Sequence, residues 1–211
     1  MKTILIQSAY CAPIIQYAAI AQAEQLVFEV HDNYQKQSYR NRFKIATSTG
    51  ALTLTIPILH REEPKIGHQM TQEVGIENQF KWQRNHWRSL KTAYQTSPYF
   101  EYYEDEFEPL YSQTWETLAD FHAACHRIIM ECLQLEVPTT TSTEYFRTPT
   151  EQKDLRLLII SKKEPEYPLP EYHQLFGEKH GYLKNLSILD LLFNEGTNAL
   201  TYLEEVDLSE I

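Results

Sequence analysis

The hydrophobic positions of this chain change period along its length, and those changes delimit its elements. Thr3 to Ile6 is a short apolar run that ends in the Gln7–Pro13 turn region, the pattern of a buried strand. Ile14 to Glu24 sets Ile14, Tyr17, Ala18 and Ala21 on one helical face, and Leu26 to Val30 is a second run rich in β-formers. Strand, helix and strand within about 30 residues predict a βαβ unit, parallel and right-handed. Leu52 to Pro57 alternates with period two and predicts a third strand, ended by its proline.

The middle of the chain turns helical. Phe80, Trp87, Leu90 and Tyr94 lie near one face of a helix over 79–95, and Ser97-Pro98 offers an N-cap and N1 pair for the next helix. That helix carries Glu101, Glu104, Asp105, Glu106 and Glu108, which read as a solvated acidic face. A longer helix over 114–133 shows a core-facing stripe of Trp115, Leu118, Phe121, Cys125, Ile128, Ile129 and Cys132. Val137 to Tyr145 and Leu155 to Ile160 predict a fourth and a fifth strand, and Glu164 to Pro170 an irregular connection. Ser187 to Asp190 reads as a capping box for a helix stopping at Gly196, followed by a last helix over 198–205. The expected class is α/β: a single three-layer Rossmann-like domain over residues 1–211. Its mostly parallel sheet would have about four or five strands, with a helical middle segment and short C-terminal helices.

Composition narrows the function. A net charge of −10 over 211 residues argues against general nucleic-acid binding, which relies on Lys and Arg to neutralise phosphates. Three cysteines without paired spacing fit reduced thiols rather than a disulfide framework. Met1-Lys2, an apolar stretch and Ala21-Gln22-Ala23 imitate a secretory signal, but Gln7, Ser8, Pro13 and Gln16 interrupt the apolar region. No run approaches the roughly 18 apolar residues a membrane span needs, so the chain reads as cytoplasmic, unprocessed and not membrane-inserted.

Against this acidic background, Gln35 to Lys44 gathers four cations in ten residues, an arrangement that is repulsive unless it holds an anion. Ligands of open parallel sheets bind beyond the carboxyl ends of the strands, where the loop after the first strand meets His31-Asp32-Asn33-Tyr34. Gln7, Tyr10 and Tyr34 are thus candidates to orient a substrate, with Arg40, Asn41, Arg42 and Lys44 holding its anionic group. Asp32 and His86 are the candidates for proton handling. The competing readings are a solvated basic loop and a structural strut in which Arg42 pairs with Asp32. His122 and His126 are spaced like metal ligands, but Ala123 stands where a zincin needs Glu. With no glycine-rich fingerprint either, no metal and no cofactor are expected. Nothing in the sequence specifies an oligomer.

Several segments together resemble the WbqC-like family. They are Gln7 to Tyr10 with Pro13 and Tyr17; Tyr34 to Arg42; Leu54 to Pro57; Trp82 with His86 to Arg88; Tyr94 with Ser97 to Phe100; Tyr172 to Phe176; and Asn185 to Gly196. The resemblance implies a place in O-antigen or surface-polysaccharide biosynthesis and a transferase acting on an anionic small molecule such as a nucleotide sugar. Some members are proposed to place an amino-acyl group, such as glycine, on an amino sugar. The alternative is a non-catalytic binding or assembly subunit of a glycan pathway. The chain departs from longer members in carrying Gln7-Ser8 in place of Gln-Pro. It also lacks a Gly- and Tyr-containing segment before the closing motif.

Overall fold

The computed structural model describes residues 2–59, 69–162 and 164–211. The βαβ unit forms as expected: β1 (Thr3–Gln7), α1 (Ile14–Ala21) and β2 (Gln25–Glu29), with Ile4 opposite Leu26 in parallel register. Two short strands complete the sheet. β5 (Thr139–Thr141) adds to β2 and β6 (Lys153–Asp154) adds to β1, both parallel, in the order β5-β2-β1-β6. Ile4, Ile6 and Leu26 join the main core with α1, while Leu5 and Val27 on the opposite face are buried too. Both faces are therefore covered, as an all-parallel sheet requires, in a three-layer Rossmann-like arrangement.

A second, two-stranded sheet lies apart. β3 (Arg42–Thr47) and β4 (Gly50–Thr55) form an antiparallel hairpin whose turn places Gly50 at φ 109°, where a side chain would be strained. The run expected as a third strand of the main sheet belongs to this hairpin instead. Its partner was hidden because Arg42-Phe43-Lys44-Ile45 reads first as charge, although Phe43 and Ile45 alternate inward as a strand demands. The apolar run at 155–160 is also not a strand. Arg156–Ile159 form a 3₁₀ turn with Leu158 and Ile159 buried and Leu157 exposed, a split that the apolar run Leu157 to Ile160 does not reveal.

The helical middle is α2 (Trp82–Tyr94), α3 (Phe100–Ser112) and α4 (Leu118–Leu133). Thr117 caps α4 by accepting from the Asp120 N–H at 3.1 Å. Ser97 does not cap α3: its hydroxyl donates to the Tyr94 carbonyl, and Tyr99 takes the N-cap position without a side-chain bond. After α5 (Gly177–His180) come α6 (Ile188–Glu195) and α7 (Asn198–Glu205), with α7 packed on α1. Ser187 caps α6 through the Leu189 N–H at 3.3 Å. Asp190 does not close the box, because its carboxylate accepts from Tyr94 and Tyr172 inside the core. Among the described residues no helix is long and apolar enough to cross a membrane.

Candidate functional site

From β1 the chain moves to β2 and β5 on one side, whereas β6 lies on the other, so the strand order reverses between β1 and β6. Open α/β sheets bind ligands in the crevice beyond the carboxyl ends at such a point. A cleft of about 160 Å³ lies there, lined by Gln7, Gln35, Tyr145, Asp154, Arg156 and Leu157. Gln7 ends β1, Asp154 ends β6, and Arg156 opens the turn that follows.

Arg156 organises this crevice. Its Nε and Nη2 donate to the two oxygens of Asp154 at 2.8 and 2.6 Å, a bidentate fork, and Nη1 donates to the Phe146 carbonyl at 2.8 Å. The guanidinium lies 5.3 Å from the Tyr145 ring centroid and 3.5 Å from Glu29 Oε2. The bond from Arg156 holds the Asp154 carboxyl below its usual range, so it stays an acceptor at neutral pH. Tyr145 and Leu157 stand 53% and 71% exposed at the rim, large apolar surface beside a polar floor. Carboxylate and amide acceptors under an exposed aromatic face suit the hydroxyls and ring face of a sugar.

Gln7 connects the crevice to a buried pair. Its Nε2 donates to Asp32 Oδ2 at 2.9 Å, and the same oxygen is ion-paired with Arg40 Nη2. Arg40 is fully buried and Nη1 donates to Ser38 Oγ at 3.1 Å, so its guanidinium faces no solvent. The strut is real, but Arg40 forms it with Asp32, not Arg42. Lys44 is engaged by Glu164 at 2.7 Å, and Asn41 donates to the Ile56 carbonyl at 3.0 Å. Arg42, half-buried on β3, has no ion-pair partner among the described residues, and its charge is felt by the nearby Tyr34 hydroxyl.

Tyr10 and His86 meet each other rather than the crevice. Their atoms OH and Nδ1 are 3.0 Å apart, Tyr111 joins at 3.0 Å, and all three are buried. Burial lowers the His86 pKa to about 4, and the Thr55 backbone takes a further bond from the ring. His86 is thus a satisfied core histidine with its acceptor nitrogen already used by Tyr10. Asp154, Arg156, Glu29 and Tyr145 escaped the sequence reading because that region looked like a plain strand. The signal that could have exposed them was a polar i,i+2 pair, Asp154 and Arg156, at a strand end.

The molecule is thus an α/β protein whose candidate ligand site is a polar crevice at the switch point of a parallel sheet. Residues 7–166 match the WbqC-like protein family, and the chain belongs to it. It is also 26% identical over 231 residues to "Uncharacterized protein Rv1507c" of Mycobacterium tuberculosis (strain ATCC 25618 / H37Rv), covering 96% of this chain and 97% of that protein. No solved structure matches the chain.

Proposed function

We propose that the chain, acting as one WbqC-like domain over residues 1–211, binds the sugar of a nucleotide sugar in the β1/β6 crevice. It would serve as a cytoplasmic transferase of surface-polysaccharide synthesis. The observation that carries this reading is the crevice itself, with the forked Asp154–Arg156 pair and Gln7 on its floor and Tyr145 on its rim. The enclosed part holds the volume of about five waters, at roughly 30 Å³ each, which suits one edge of a pyranose while the ring face rests on Tyr145. Arg42, a cation of the basic segment with no ion-pair partner among the described residues, would meet the anionic part beside Tyr34.

A second reading, a non-catalytic binding subunit, is favoured by the fact that Arg156 and Asp154 already engage each other, so that neither is a free base or nucleophile. Both readings require binding, and only the first requires turnover.

Thermal shift with UDP-sugars and free monosaccharides tests the shared part. A ligand at 100 times its Kd stabilises by about 2.7 kcal/mol, a rise of roughly 5–10 °C for a chain this size. Tyr145→Ala should lose the shift for sugars and nucleotide sugars alike, and Arg42→Ala the part specific to the nucleotide. Equal shifts in wild type and Tyr145→Ala would remove the crevice as the site.

A further inference from the structure

On the other side of the β1 carboxyl end lies a larger and mostly apolar cleft of about 300 Å³. It is lined by Ser8, Gln16, Tyr17 and Phe28, and by His122 and His126 of α4. Ser8 Oγ lies 3.0 Å from His122 Nδ1, and His122 Nε2 lies 2.5 Å from the Arg40 carbonyl oxygen. A carbonyl only accepts, so Nε2 carries the ring proton, Nδ1 presents its lone pair, and the Ser8 hydroxyl donates to it. This is a nucleophile, a base and an orienting acceptor in sequence. The orienting carbonyl is itself immobilised, because the Arg40 side chain is buried against Asp32.

A second observation points to a ligand in the same cleft. Gln16 is 2% exposed and its Nε2 donates to the Gln7 carbonyl at 3.0 Å, while Oε1, also buried, has no partner among the described residues. An unmet acceptor in an apolar cleft costs free energy until an N–H or O–H arrives. His126 shares the α4 face with His122 at i,i+4, but its Nδ1 is engaged by the Tyr17 hydroxyl at 3.2 Å. Among the described residues no third ligand turns the two histidines into a metal site.

We propose that Ser8 and His122 form a nucleophilic dyad that accepts a small acyl group from an activated ester whose N–H or O–H is held by Gln16. As Ser8 Oγ bonds to the ester carbonyl carbon, its proton passes to His122 Nδ1. The carbon–oxygen bond to the leaving alcohol then breaks, and that oxygen takes the proton back from Nδ1. Ester and serine hydroxyl become acyl-serine and free alcohol, and attack by water or an amine restores the serine. Ala9 lines the same cleft, and its N–H follows the nucleophile directly, the position that donates to the oxyanion in nucleophile-elbow hydrolases. Burial keeps the His122 pKa at about 4, so the imidazole is the free base at neutral pH and a weak one, suited to good leaving groups. This inference stands apart from the sugar reading, since it needs only the second cleft.

The test uses the full chain with p-nitrophenyl acetate and an ethyl fluorophosphonate probe. Intact mass and peptide mapping should place one phosphonate on Ser8. Release of p-nitrophenolate should fall at least tenfold in Ser8→Ala and in His122→Gln, and remain unchanged in Glu101→Gln, on the exposed face of α3. Ser8 is half-buried and Ser8→Ala removes only its hydroxyl bond to His122, so the variant should melt slightly below wild type and stay folded in the assay, which makes its result decisive even if His122→Gln unfolds. Labelling elsewhere, or equal release by Ser8→Ala, overturns the dyad.

Discussion

Acidification from pH 7 to pH 5 should come close to unfolding this protein, because two buried histidines and a half-buried one are held as neutral rings. His86, His122 and His126 each have a pKa lowered by burial to about 4, against 6.5 for an unperturbed ring. A base with a depressed folded-state pKa binds fewer protons folded than unfolded. Its neutral form is fully accommodated above 6.5, and stability is lost as pH falls from 6.5 toward 4. At pH 5 the unfolded ring is almost wholly protonated and the folded ring about one-tenth so, a loss of about 2 kcal/mol per histidine. Three together approach about 6 kcal/mol, comparable to the entire stability of many domains. The buried Asp190, whose carboxyl is pushed up by burial, works in the opposite sense and offsets part of this loss. Urea midpoints followed by far-UV circular dichroism from pH 7.5 to 4.5 should show the decline, with an uptake of between two and three protons on unfolding at pH 5. His86→Gln should keep a donor for the Thr55 backbone while removing close to one proton from that uptake. A stability that changes by less than about 1 kcal/mol between pH 7 and pH 5 would refute the argument, since a single such ring costs more.

Other outcomes follow from single contacts. Arg40→Ala should cost about 3–5 kcal/mol in urea unfolding by stranding the buried Asp32 carboxylate, and the pair Arg40→Met with Asp32→Leu should recover most of it; a mild effect of Arg40→Ala alone would contradict the strut. Gly196→Ala should destabilise by more than about 2 kcal/mol, because φ is 56° and a Cβ there would come 2.5 Å from the Tyr99 ring; an unchanged melting temperature would refute this. Tyr145→Ala should leave urea stability within about 0.5 kcal/mol, as for an exposed side chain, while abolishing the sugar-induced thermal shift; a large loss of stability would show that Tyr145 is structural.

The opening βαβ unit, the three middle helices α2, α3 and α4, and the Ser187 cap were legible in the sequence, because each rests on local periodicity or on a side chain bonding two or three residues away. The WbqC-like resemblance was legible for the same reason, in contiguous motifs. The crevice was legible only as a rule about strand ends, and Gln7 is the one residue named from the sequence that lines it. Which guanidinium meets Asp32, Arg40 or Arg42, depended on tertiary packing: Arg40, just ahead of β3, is fully buried, while Arg42 on β3 is half-buried. The Asp154–Arg156 fork waited on β6 being only two residues long, and the Ser8–His122 contact spans 114 residues of chain. Period and propensity act over a few residues, so they name elements. Pairs of polar groups are chosen by burial, where an unmet charge or donor costs more than any local preference, and burial exists only once the elements have packed.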